Sequence, residues 1–142
     1  MTQVDRTGLS ADEIFVLDFL DMWDAEDVDG MVARFTPDGS YIDMPLPPRN
    51  GQAEIDTYIR AVLSAFAVRI ETFAIASKGS TIFTERVDHL TLKDGSGKTV
   101  PLPVTGVMEL RDGKIHKWRE YLDLATAERG LGLKISSTEV VG

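Results

Sequence analysis

Two stretches of this chain place ionisable side chains where strand alternation would turn them inward. One reads Thr84-Glu85-Arg86-Val87-Asp88, the other Trp118-Arg119-Glu120-Tyr121. Successive side chains on a strand point to opposite faces, so Arg86 and Asp88 share a face with Ile82, Leu90 and Leu92. Trp118, Glu120 and Leu122 share a second face. In the short run Tyr41-Ile42-Asp43, Tyr41 and Asp43 share a third. A guanidinium and carboxylates among apolar residues are costly unless paired. If these faces converge, one apolar cavity holds Tyr41, Asp43, Arg86, Asp88 and Glu120.

Such a set has a definite chemistry. Three carboxylates around one guanidinium leave an excess of negative charge, and like charges in a dry pocket raise one another's pKa. At least one carboxyl is expected to keep its proton near neutral pH, as a property of the coupled group. A protonated acid beside an ionised carboxylate is a general acid and a general base in one site. Each role contributes typically about 10²–10⁴-fold to rate. The planar fork of Arg86 is suited to fixing two carboxylates at once. The plainer alternative is a buried ion pair that only supports the fold, and Arg-x-Asp on a strand does not by itself separate the two.

The elements that must position these residues can be read from period and punctuation. Ser10-Ala11-Asp12-Glu13 has the pattern of a capping box. Ile14, Phe15, Leu17 and Leu20 follow at helical spacing, which predicts a helix to about Asp24. Val28, Met31, Val32 and Phe35 mark a second short helix, and Pro37-Asp38-Gly39 reads as a turn. Ser40 to Met44 is a short strand ended by Pro45-Leu46-Pro47-Pro48, with a further turn at Asn50-Gly51. Ile55, Ile59, Val62, Leu63 and Phe66 mark a third helix. The period then becomes alternating: strands are predicted over 69–77, 81–93, 99–111 and 114–123, separated by Gly79, Asp94-Gly95-Ser96-Gly97 and Asp112-Gly113. Val100, Leu102, Val104, Gly106, Met108 and Leu110 make one unbroken small-or-apolar face. A terminal helix is expected over 124–129, then a tail. Helices first and a strand meander after give an α+β class, with helices packed on a strongly curved, mostly antiparallel sheet around an apolar pocket.

Composition bounds the rest. The 142 residues suit one domain spanning 1–142, with 1–9 and 134–142 expected to be peripheral. Met1 to Ser10 lacks the apolar segment of a signal peptide, and a cytoplasmic protein is expected. With no cysteine, thiol catalysis, disulfides and thiolate metal sites are excluded. The net charge is −8, and nine acids face one base, Arg6, in the first thirty residues. An acidic surface disfavours nucleic acid and anionic lipid, and no stretch reaches the ~20 apolar residues of a membrane span.

Several of these segments together resemble limonene epoxide hydrolases: Tyr41-Ile42-Asp43-Met44-Pro45-Leu46-Pro47-Pro48, Glu71-Thr72-Phe73, Thr84-Glu85-Arg86-Val87-Asp88, Gly113-Lys114-Ile115 and Trp118-Arg119-Glu120-Tyr121. They occur in the family's order over about Ser10 to Leu133. The resemblance implies a cone-shaped barrel shared with nuclear transport factor 2, ketosteroid isomerase and scytalone dehydratase. It also implies one-step hydrolysis of a small, mostly apolar epoxide by water, without metal or cofactor. Asp88 matches the acid that protonates the epoxide oxygen, Arg86 the bridge between acid and base, and Tyr41 the tyrosine that helps hold water. By the same resemblance Leu20, Trp23, Leu90, Leu102, Val104 and Leu122 are substrate contacts, and a homodimer is expected. Two positions depart from the pattern. The water-holding Asn is Asp43 here, and the basic Asp is Glu120, longer by a methylene. Either Glu120 remains the base or Asp43 takes over.

Other readings on the same barrel are an isomerase, a dehydratase or an epoxide-opening cyclase. Steroid isomerisation is disfavoured, because the positions resembling that enzyme's oxyanion donors fall near Phe19 and Gly106, which have no side-chain donor. A non-catalytic small-molecule binder would have little reason to keep so many polar groups on inward faces. A metal site built from His116, Glu120 and Asp88 is weaker still, since His116 lies near the Asp112-Gly113 turn and is expected at the rim. His89 has the wrong parity for the pocket.

Overall fold

The computed structural model describes residues 2–132. Helix α1 (Ala11–Ala25) begins at the expected capping box, with Ser10 and Glu13 each bonded to the other's backbone N–H. It buries Val16, Leu17, Phe19, Leu20 and Trp23 along one face. Helix α2 (Val28–Ala33) is capped by Asp27, and α3 (Gly51–Ala65) buries Ile55, Tyr58, Ile59 and Leu63. The strands are β1 (Phe35–Met44), β2 (Arg49–Asn50), β3 (Phe66–Lys78), β4 (Thr81–Leu92), β5 (Thr99–Arg111) and β6 (Lys114–Leu122). Helix α4 (Leu124–Leu131) closes the described chain.

The six strands form one sheet in the order β2-β1-β6-β5-β4-β3. All neighbours are antiparallel except β1 and β6, which run parallel. The expected α+β class, with helices on a curled and mostly antiparallel sheet, is the observed one. Alternation is regular on β5, where Val100, Leu102, Val104, Gly106, Met108 and Leu110 are all buried. The core joins α1 and α3 to the concave face around Phe19, Phe35, Ile59 and Trp118, with the rings of Phe19 and Trp118 edge to face at 5.1 Å.

Several boundaries differ from the sequence reading: Phe35 and Phe66, expected on helices, begin β1 and β3. Pro37-Asp38-Gly39 does not separate a helix from a strand; it lies inside β1. The register there jumps from Phe35 opposite Ile115 to Ser40 opposite Lys117, so β1 bulges and then resumes pairing. Gly39 sits at the tight point, where a Cβ would come within 3.2 Å of the Ile115 and Thr36 carbonyls. Helix α3 starts at Gly51, a residue read from the sequence as part of a turn; Gly51 takes φ 81°, and the Glu54 carboxylate accepts from the Asn50 N–H at 3.0 Å. The segment before α1 is tied down: the Val4 N–H donates to the Thr72 carbonyl at 2.8 Å. The tail expected over 134–142 lies outside the described residues. No helix among those described is long and apolar enough to cross a membrane.

Candidate active site

Strand register brings the inward faces together. Asp43 pairs with Glu120 and Tyr41 with Trp118 across the parallel β1–β6 junction. Gly106 lies between Thr84 on β4 and Glu120 on β6, and Asp88 lies opposite Leu102. Tyr41, Asp43, Arg86, Asp88 and Glu120 therefore meet on the concave side of the sheet.

Arg86 is the centre of the cluster, with no side-chain exposure. Its Nε donates to Asp88 Oδ1 at 3.2 Å and its Nη2 to Asp88 Oδ2 at 2.9 Å. Nη1 donates to Glu120 Oε2 at 2.9 Å, and Nη2 also donates to Glu120 Oε1. Nη1 reaches the Thr84 hydroxyl at 3.3 Å as well. One guanidinium thus holds two carboxylates by both oxygens of each, which fixes their planes as well as their positions. Burial disfavours the Arg86 cation, but Asp88 and Glu120 outweigh it and hold its pKa above the usual value.

Gly106 makes this arrangement fit. A Cβ at that position would lie 2.4 Å from Arg86 Nη1, 2.4 Å from Glu120 Oε2 and 3.1 Å from Thr84 Oγ1. Any other residue would collide with the bridge itself. The sequence placed Gly106 on the inward face without revealing that its missing side chain is the space the bridge occupies.

Asp43 sits apart from the fork of Arg86. Its carboxylate accepts from the Tyr58 hydroxyl of α3. Tyr58 packs edge to face on Tyr41, centroids 5.2 Å apart, and lies under the Arg49 guanidinium at 4.3 Å. Tyr41 in turn stacks on Trp118 at 4.2 Å. The sequence reading missed Tyr58. The signal was available, since Ile55, Tyr58, Ile59 and Val62 fall at the spacing of one helix face.

The electrostatics follow from burial. Glu120 is pushed up to about 7, because desolvation outweighs the attraction of Arg86. Asp43 is raised to about 6, again by desolvation, with the Tyr58 hydrogen bond and the Arg49 charge working the other way. Burial also lifts the Tyr41 and Tyr58 phenols well above their ordinary range, so both remain donors at neutral pH.

Tyr41, Asp43, Tyr58, Asp88 and Glu120 line a cavity of about 130 Å³, and Arg86 holds two of them from outside its wall. The rest of its wall is apolar and aromatic, including Phe66, Val68, Ile70 and residues Leu124, Ala127 and Leu131 of α4. A dry cavity near this size, ~150 Å³, holds a guest the size of benzene. Of the expected contacts, Trp23, Leu90, Leu102, Val104 and Leu122 line it. Leu20 does not: its side chain is spent in the core with Phe19 and Val16, one helical step away from the wall. His116 bonds the Thr36 hydroxyl through Nδ1 at 3.1 Å, on the far side of Trp118 along the strand from Glu120. No three His, Cys, Asp or Glu residues among those described are placed to hold a metal ion. His89 pairs with Glu71 at 2.5 Å and is not part of the cavity wall.

The sequence profile of the limonene-1,2-epoxide hydrolase catalytic domain matches residues 11–131. The chain belongs to this family. It is 28% identical over 113 residues to epoxide hydrolase EphG of Mycobacterium tuberculosis (strain ATCC 25618 / H37Rv), covering 80% of this chain and 74% of that protein. The structure of an M. tuberculosis LEH-like epoxide hydrolase superposes with a TM-score of 0.74 at 28% identity, over 84% of this chain and 88% of the other. A putative polyketide cyclase from Xanthomonas campestris pv. campestris shares the fold alone: TM-score 0.77, 19% identity, 84% and 96% coverage. Membership supports an enzyme of the epoxide hydrolase type. Family and fold do not choose the substrate, which the site residues must decide.

Proposed function

We propose that this protein hydrolyses a small, mostly apolar epoxide to a vicinal diol in one step, using Asp88 as acid and Glu120 as base. The observation that carries the reading is the doubly bidentate grip of Arg86 on Asp88 and Glu120, two carboxylates that line a mostly apolar cavity. With one proton in the cluster, the Asp88 carboxyl donates it to the epoxide oxygen as the C–O bond breaks. Glu120 takes a proton from water as the water oxygen bonds to the carbon. The cluster's proton count is unchanged over the cycle. Tyr41 and Asp43 flank Glu120 and orient the water. Arg86 keeps the acid and base in register and offsets the charge that shifts between them.

The longer Glu120 keeps the base role in this reading because its pKa of about 7 suits proton abstraction near neutral pH. Asp43, though carboxylic, is the neighbour that holds water. The small apolar cavity also favours a second use of the same groups: a substrate carrying its own hydroxyl near the epoxide would close a ring instead of taking up water. Purified protein screened against cyclic, aliphatic and aryl epoxides in ¹⁸O-labelled water separates these outcomes. Hydrolysis yields a diol with one labelled oxygen; ring closure yields an unlabelled cyclic ether. Turnover is expected to survive a chelator. No product above background with any epoxide class would sink the proposal.

A further inference from the structure

Asp43 is the acidic group that Arg86 leaves out. Both oxygens of Asp88 and both of Glu120 are taken by the guanidinium, whereas among the described residues the Asp43 side chain is bonded only by the Tyr58 hydroxyl, through Oδ2. A carboxylate in an apolar cavity is unstable when ionised unless donors hold it. Tyr58 is such a donor and is itself fixed from both sides. Its ring meets Tyr41 edge to face and carries the Arg49 guanidinium over its plane. Arg49 is anchored in turn by donating from Nη1 to the Pro47 carbonyl at 2.6 Å. A cation against a phenol ring makes its O–H a stronger donor.

We propose that Tyr58 is a positioning residue of the active site: it keeps Asp43 ionised and engages Oδ2, so that Oδ1 is the oxygen left to hold the attacking water. Asp43 thereby performs the water-holding task as an anion, held by the Tyr58 hydroxyl with the Arg49 charge on the far side of the Tyr58 ring. The groups facing Asp43 are Tyr58 from α3, Arg49 from β2, Tyr41 from its own strand, Glu120 from β6, and Arg86 and Asp88 from β4. Of these, Tyr58 is the one whose bond favours the charged form by direct contact. The water-holding clause rests on the proposed hydrolysis; the Tyr58–Asp43 coupling does not.

The test reads Asp43 directly. Carboxyl ¹³C chemical shifts are followed against pH in protein labelled at Asp, and the Asp43 signal is assigned by its loss in Asp43→Asn. Tyr58→Phe, which keeps the ring and loses the donor, is expected to move the Asp43 midpoint upward by about one to two pH units. Difluorotyrosine in place of Tyr58, a stronger donor of nearly the same shape, is expected to move it downward. In turnover, Tyr58→Phe shifts the acid limb of kcat/KM upward, and this shift disappears in the Asp43→Asn background. An Asp43 midpoint that stays put in both Tyr58 variants overturns the proposal. Normal coupling without any epoxide turnover leaves the positioning role standing and removes only the hydrolase reading.

Discussion

Two arginines in this molecule do the same thing in different surroundings. Arg6, ahead of α1, holds Asp18 at 2.6 Å and Asp21 at 2.5 Å with its side chain 40% exposed. Arg86 holds Asp88 and Glu120 with no exposure at all. At the surface, water competes for each charge and salt screens the pair, so the arrangement is a local clip. In the cavity, desolvation raises Glu120 to about 7 while Arg86 holds it in place. A carboxyl raised toward neutral pH is found only where water is removed. The geometry differs too: Arg6 makes one bond to each carboxylate, whereas Arg86 makes two to each.

The contrast is open to attack at several points. Arg86→Leu should break it most severely. It strands the buried Glu120 and the half-buried Asp88, and removing one partner of a buried pair typically costs about 3–5 kcal/mol. Urea unfolding should show that loss, and turnover should vanish. Next come Asp88→Asn and Glu120→Gln. Each is expected to reduce kcat by about 10²–10⁴-fold with the fold intact by circular dichroism. Near-normal turnover in Glu120→Gln would transfer the base role to Asp43.

Stability against pH probes the same site without substrate. Glu120 and Asp43 titrate near 7 and 6 when folded, against ordinary values of 4.5 and 3.8. Between those limits the folded protein binds more protons than the unfolded chain. Folding stability therefore falls as pH rises from about 4.5 to about 7, by an amount on the order of a few kcal/mol. Glu120→Gln should flatten much of that slope, measured as melting temperature across the window. Gly106→Ala tests the space the bridge needs. Overpacking of this kind costs typically about 1–3 kcal/mol, and the variant should also lose turnover because the clash falls on Arg86 and Glu120. The smallest effect belongs to the surface clip: Arg6→Ala should cost under about 1 kcal/mol and leave kcat unchanged.

Much of this was legible in the sequence, for identifiable reasons. Parity on β4, β5 and β6 placed Arg86, Asp88, Gly106 and Glu120 inward, because a two-residue period survives any error in strand ends. The capping box of α1 was equally plain, being a local device. What failed was non-local or disguised. Pro37-Asp38-Gly39 has the composition of a turn, and only the pairing of β1 with β6 reveals it as a bulge. Leu20 has the same apolar character as the residues of the cavity wall, and nothing local says which of two apolar surroundings it enters. Tyr58 was overlooked because a tyrosine within an amphipathic helix reads as ordinary packing; its partner, Asp43, lies on another element. The convergence of the three inward faces remained conditional until the register of β1 against β6 was known.

That parallel register has a consequence for how the protein acquires its activity. Strands β3 to β6 are joined in chain order by hairpins, so their pairing closes short loops. Asp43 and Glu120 become neighbours only when a segment before those hairpins docks beside the last of them, closing a loop that contains most of the sheet. Loop-closure entropy makes such pairings slow relative to local ones. Glu120 and Asp43 are thus expected to meet late in folding, and a growing chain would hold no complete cluster until β6 has been synthesised. In hydrogen exchange this should appear as a β1–β6 seam that opens more readily than the β4–β5 hairpin, leaving Asp88 and Arg86 assembled after Glu120 has lost Asp43.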